Sequence, residues 1–192
     1  MRNKIILIGC GGHTKVCIDI IHNNNKYKIA GLVCMEKKNS KISIIGTDKD
    51  LKKLRKKYKF AFITIGQIKN SLNREKLFNK LKKLNYTIPQ ISSRLSIISK
   101  SAKIEEGTIV MNGAIIHSDV KIGFNSIINT RAIIEHDVEI GNNSHISTGA
   151  IINGNVTIGN NVFIGSGSII VNNVKIKSNS FIKAGSLIKK DI

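Results

Sequence analysis

Glu135, His136 and Asp137 stand together in a stretch of otherwise aliphatic and small residues. A histidine flanked by carboxylates suits general-base chemistry, because the acid orients the imidazole and raises its basicity. His117 and His145 are the other imidazoles of this half, and a lone histidine is more often a surface residue than a base. A second constellation is Gly9-Cys10-Gly11-Gly12-His13, which follows an aliphatic run. Its backbone N–H groups and the dipole of a following helix can hold a phosphate, and His13 can donate to a phosphate or sugar oxygen. Thr14 stands where a dinucleotide fingerprint carries its third glycine. The same residues also serve as a plain tight turn packing a helix onto a sheet. Glu36, just past the next strand, can accept from a ribose hydroxyl.

The elements that must carry these groups fall into two kinds. From Ile98 an aliphatic residue recurs every sixth position without a break to Ile188, and four residues after each comes a small or β-branched one, from Ala102 to Ser186. Short strands turning every six residues generate a triangular prism, with the aliphatic residue inward and the small one beside it. Gly123, Gly141, Gly159 and Gly165 follow the aliphatic residue, and Asn142, Asn143, Asn160 and Asn161 crowd the turns, where left-handed backbone is cheapest. At three strands per coil the repeat makes about five coils of 18 residues. His136 then sits at a corner, and His145 half a coil further on, so the two should meet only across an interface between prisms.

Residues 1–90 alternate strand and helix. The pattern predicts strands over 4–8, 28–34 and 60–65 and helices over 15–22, 48–58 and 71–84, hence a small Rossmann-like parallel sheet. The division expected is a Rossmann-like α/β domain over 1–90 and a β-helix over 91–192.

Composition narrows the partners. The net charge is +19, with 21 basic and 5 acidic residues in 1–90 against 10 and 7 in the remainder. Ile (38), Lys (26) and Asn (21) supply much of the 192-residue chain, which reads as a coding bias filling tolerant surface with lysine. Aromatics are only 5% with no Trp, so base-stacking platforms are scarce and a small anionic ligand is favoured over nucleic acid. Three cysteines without metal spacing point to reduced thiols in a cytoplasmic protein with no metal. No apolar tract approaches bilayer-spanning length, so no membrane insertion is expected.

The glycine turn with His13, the Ile65-Gly66 strand end, Asn129-Thr130, Glu135-His136-Asp137 and Ser144-His145 through Gly149-Ala150 together resemble the bacterial sugar acetyltransferases of the NeuD/PglD type, within the hexapeptide-repeat acyltransferases. The resemblance spans nearly the whole chain. It implies an α/β N-terminal Rossmann-like domain followed by a left-handed parallel β-helix, a homotrimer, and acetyl-CoA as co-substrate. It implies His136 as general base, Asp137 as its partner and Asn129 nearby. His145, Gly154, Ser166 and Ala184 would line the acetyl-CoA side, with the Gly154 N–H as oxyanion donor. Gly11, Gly12, His13, Glu36 and Gly66 would hold the nucleotide of the acceptor. Two departures from the family pattern are Met35, where the amino-sugar enzymes resemble an Asp-Asp pair, and the ending Lys189-Lys190-Asp191-Ile192 in place of Gly-x-Pro-Ala-Lys. The expected reaction is N-acetylation of a nucleotide-linked amino sugar for surface glycan. O-acetylation of a sialic-acid-like nonulosonate and a non-catalytic trimeric sugar-nucleotide scaffold are the alternatives.

Overall fold

A computed structural model of the chain describes residues 2–35, 40–68 and 70–192. They form two compact units, one of Met1–Gly66 with Asn73–Pro89, the other of Gln67–Leu72 with Gln90–Ile192.

The first unit runs β1 (Asn3–Ile8), α1 (Gly12–Asn24), β2 (Tyr27–Val33), β3 (Ile44–Gly46), α2 (Leu51–Arg55), β4 (Phe60–Ile63) and α3 (Leu72–Lys83). All pairings are parallel, in the order β3-β2-β1-β4. Ile5 to Ile8 of β1 are at most 1% exposed, the continuous apolar run that a central parallel strand needs when both faces are covered. The chain grows from β1 towards β2 and β3 on one side and returns to β4 on the other. That reversal opens a crevice at the carboxyl ends of the strands.

Two elements differ from expectation. β3 is a three-residue edge strand too short to show a period, and α2 is five residues rather than the eleven of 48–58. A turn consumes the start of that segment: the Asp50 carboxylate accepts from Thr47 N (2.8 Å) and Thr47 Oγ1 (3.0 Å), bonds that hold its pKa below the usual carboxylate value. In α3 Arg74 is buried along with Phe78 and Leu81, and it donates to the carbonyl oxygens of Ile65 (2.7 Å) and Ile63 (3.3 Å) and so satisfies the end of β4. Burial pulls its pKa down to about 10, and burial pushes the Cys17 thiol up to about 12 against the pull of the Arg74 charge.

The second unit is a parallel β-helix of the left-handed hexapeptide type. Its strands, β5 (Ile91–Ser92) to β21 (Leu187–Ile188), are two residues each and stack into three parallel sheets. Each strand pairs with the one 18 residues away, as in Ile133↔Ile151 and Ile151↔Ile169. The inward Ile and Val residues and the small residues four places on, among them Ala114, Ala132 and Ala150, form one buried column. The left-handed corner residues also repeat every coil: Asp119, Asp137, Asn155 and Asn173 at one edge, Asn125, Asn143, Asn161 and Asn179 at another, Arg131, Gly149, Gly167 and Gly185 at the third. The glycines after the aliphatic residue serve a different purpose from the one the turn chemistry suggests. A Cβ at Gly141 would sit 2.6 Å from the Gly159 carbonyl carbon, so coils approach there too closely for any side chain.

The outward residue of each strand distinguishes the three faces. One face carries Lys103, Lys121, Glu139, Thr157 and Lys175, all exposed. A second carries Ile109, Ile127 and His145, which are buried, then Phe163 and Phe181. The third carries Ile97, Ile115, Ile133, Ile151, Ile169 and Leu187, of which Ile97 is 67% and Leu187 53% exposed. Among the described residues no helix is long and apolar enough to cross a membrane.

Candidate active site

In the α/β unit the crevice is a cavity of about 590 Å³ at the carboxyl ends of β1 and β2, lined among others by Gly11, Met35, Asp48, Lys76 and Lys80. Gly9 shapes its floor. With φ +131° and a hypothetical Cβ 2.9 Å from both Ile65 Cγ2 and Thr64 Oγ1, only glycine fits there. Gly11 and Gly12 are the opposite case: a Cβ at either would meet nothing within 4 Å, so their backbone faces open space at the start of α1. That helix has no side-chain cap and no acidic residue in its first turn, which leaves its N–H groups and positive dipole end for an anion. Thr14 is 1% exposed and its Oγ1 lies 3.1 Å from Thr64 O and Oγ1, so a hydrogen bond joins helix to strand where the fingerprint uses a glycine.

His13 lies in the first turn of α1, and a Cβ at Gly66 would be 3.7 Å from His13 Cβ, so those two expected residues are neighbours. Glu36 lies outside the described residues. The sequence reading missed Lys76 and Lys80, whose four-residue spacing on α3 puts both on one helix face. Lys80 Nζ donates to the Asp48 carbonyl oxygen at 2.6 Å.

On the β-helix, Asp137 takes the left-handed corner position (φ 61°), and its Oδ2 is 2.8 Å from His136 Nδ1. A carboxylate only accepts, so Nδ1 carries the hydrogen and Nε2 keeps its lone pair. The ring lies over the next coil at Gly154, where a Cβ would be 2.8 Å from both Nε2 and Cε1. His136 is well exposed. His117 Nε2 stands 3.7 Å from Glu135 Oε1, a surface contact at the same edge.

His145, expected on the acetyl-CoA side, is enclosed by protein. It is 6% exposed, with Nδ1 2.6 Å from the Gln67 carbonyl oxygen and Nε2 3.0 Å from Asn129 Nδ2. Phe163 packs edge-on against its ring. Protein atoms thus face both ring nitrogens of the residue expected to line the acetyl-CoA side. Asn129 joins His145 rather than His136, and its Oδ1 accepts from Thr130 N at 2.8 Å. Ser166 is exposed with its Oγ 2.9 Å from Ser147 Oγ, and Ala184 is exposed one coil beyond it. His136 with Gly154 and Asn129 with Ser166 therefore lie on opposite borders of the aliphatic third face, at different corners of one prism. Among the described residues no group of three or more His, Cys, Asp and Glu side chains could hold a metal ion.

A solenoid of this kind joined to a glycine-turn α/β unit defines a hexapeptide-repeat acyltransferase. Residues 4–81 match the PglD N-terminal domain family, and 119–154 and 155–190 match the bacterial transferase hexapeptide (six repeats) family. Among solved structures, PerB from Caulobacter crescentus in complex with CoA and GDP-perosamine is 27% identical with a TM-score of 0.93, over 99% of this chain and 90% of that one. The acetyltransferase domain of PglB from Neisseria gonorrhoeae with acetyl coenzyme A is 26% identical with a TM-score of 0.90, over 100% and 93%. WeeI from Acinetobacter baumannii, 21% identical with a TM-score of 0.75 over 95% and 94%, shares the fold. No curated protein matches the sequence. Both parts of the chain are thus similar to those of the PglD-type sugar acetyltransferases.

Proposed function

We propose that the protein transfers the acetyl group of acetyl-CoA to the amine of a nucleotide-linked amino sugar. The observation that carries this reading is the His136–Asp137 pair set against Gly154, in a chain similar at 26–27% identity to enzymes whose structures contain CoA with GDP-perosamine or acetyl-CoA. The amine arrives largely as ammonium at neutral pH and must lose a proton to solvent before it can attack. His136 Nε2, bare because Asp137 holds Nδ1–H, takes a proton from the amine as its nitrogen bonds to the thioester carbon. The Gly154 N–H supports the charge on the carbonyl oxygen, and collapse of the tetrahedral adduct expels CoA thiolate, which recovers the proton. Direct attack needs no acyl-enzyme, so no Cys or Ser nucleophile is required.

The nucleotide end belongs to the α/β cavity. Gly11, Gly12 and His13 at the uncapped start of α1 offer phosphate donors, with Gly66 beside His13, and Lys76 and Lys80 add positive charge. Glu36 keeps its assignment to the ribose. Ser166 and Ala184, exposed along one corner, take the acetyl-CoA side.

A homotrimer completes the site. The aliphatic third face is one apolar stripe with the His136 edge on one border and the Asn129 edge on the other. Packing such faces together buries the stripe and brings one subunit's His136 to its neighbour's Asn129 border. With acetyl-CoA as donor and three cysteines outside any disulfide, the cytoplasm is the compartment this reading requires. The deciding experiment is mass spectrometry of GDP-, UDP- and dTDP-linked amino sugars and of sialic acids after incubation with enzyme and acetyl-CoA. A mass increase of one acetyl group on an amino sugar is expected, acetylation of sialic acid alone would establish the O-transfer alternative, and no acetylated product would favour the scaffold.

A further inference from the structure

We propose that His145 is a positioning residue, held by the Gln67 carbonyl so that its Nε2 fixes the amide of Asn129 at the border of the active site. The bonds run in one direction. The Gln67 carbonyl oxygen can only accept, so at 2.6 Å it takes the Nδ1 hydrogen of His145. Nε2 is then a bare acceptor and takes a hydrogen from Asn129 Nδ2 at 3.0 Å. The amide orientation is fixed independently from its other end, because Thr130 N donates to Asn129 Oδ1. Gln67 is itself anchored, its Nε2 donating to the Asn143 carbonyl at 2.9 Å, and it is 3% exposed. Phe163 closes the remaining side of the imidazole.

This assembly differs from a ligand-binding histidine in kind. A residue that contacts acetyl-CoA needs a ring nitrogen facing the donor, and here both face protein. Asn129 is half-buried, and only one of its two amide hydrogens is used on His145. The second is a preorganised donor of the type that stabilises a carbonyl oxygen gaining charge. In the trimer it acts beside the neighbouring subunit's Gly154 N–H. The segment that supplies the Gln67 clamp packs with the β-helix through a third bond, Ser71 Oγ to Asn161 Oδ1 at 3.0 Å.

The proposal rests on the acetyltransferase reading for its kinetic consequence alone, and the test separates the two. In the intact protein, ¹⁵N–¹H long-range spectra of His145 should show hydrogen on Nδ1 and none on Nε2. His145→Gln keeps an acceptor for Asn129 and His145→Asn keeps only the donor for Gln67. Turnover at saturating substrates should fall about a hundredfold in His145→Asn and stay within about fivefold of wild type in His145→Gln. Acetyl-CoA affinity by calorimetry should change less than about threefold in both. An Nε2–H tautomer overturns the proposal, as does a tenfold or greater loss of acetyl-CoA affinity with unchanged saturated turnover. If the wild type acetylates no nucleotide sugar, the functional reading fails while tautomer and acetyl-CoA affinity still decide the role of His145. If neither variant folds, the wild-type tautomer decides it.

Discussion

His136 occupies the space that a side chain at Gly154 would fill: the hypothetical Cβ is 2.8 Å from Nε2 and Cε1. One coil of the helix thus makes room for the ring of the coil before it. Gly154→Ala should push the imidazole off its position against the peptide and reduce turnover by at least about tenfold. The circular dichroism spectrum should be unchanged, since the displaced ring is exposed rather than part of the core. Full activity in a folded Gly154→Ala protein would show that the ring position is not needed for the reaction.

The base itself is tested by removal. His136→Ala should lower turnover at least about a hundredfold, the cost of losing a general base, with thermal stability nearly unchanged because a corner side chain fills little core. Asp137→Asn should cost less, since the ring loses the carboxylate that fixes its tautomer but stays in place. His117→Ala removes only a partly exposed contact to Glu135, which is worth about 0–1 kcal/mol, and turnover should be near wild type. Steady-state kinetics of the three variants must rank in that order.

The open start of α1 makes stability and binding move in opposite directions. Gly11 has φ −89° and ψ −167°, which suits any residue, and nothing crowds its missing side chain. Gly11→Asp should therefore cap the helix and stabilise the protein by about 0.5 kcal/mol. The new carboxylate should repel the phosphates and weaken nucleotide-sugar binding by about tenfold or more, roughly 1.4 kcal/mol. Thermal unfolding with calorimetry separates the two effects. Tighter binding by this variant would place the phosphates elsewhere.

On the aliphatic face, Ile151 is the outward residue of a central coil. Ile151→Glu should leave the prism folded, because its inward neighbour Ile152 is untouched, and should yield monomers in light scattering. Those monomers should be inactive, since His136 and Asn129 would no longer meet across subunits. An active monomer would refute the shared site.

The solenoid is legible in the sequence because every strand carries its own inward aliphatic residue, so the signal repeats locally and errors do not accumulate. The aliphatic outer face is written in the same residues with three times the period. Ile115, Ile133 and Ile151 look ordinary within their own hexads, and only comparison every third hexad separates them from Lys121 and Glu139. Arg74 escaped the helical pattern because its burial depends on carbonyls at the end of β4 rather than on apolar neighbours. The clamp on His145 comes from Gln67, 78 residues earlier in the chain, and no local spacing reports such a partner. The Glu135-His136-Asp137 corner was readable because ring and carboxylate are adjacent in sequence and the turn alone brings them together.

The 18-residue stacking also gives the chain a phase. Deleting one hexad would keep the inward column and the strand-turn rhythm, yet every later outward residue would rotate by one third of a coil. Downstream of such a cut the lysine face would continue the isoleucine face, and the Asn129 border would no longer run on into Ser166 and Ala184. Deleting three consecutive hexads restores the frame and only shortens the prism. Length variation in this architecture is thus quantised: whole coils can be gained or lost, whereas a fraction of a coil scrambles the outer faces and the corner rows together while leaving the fold intact.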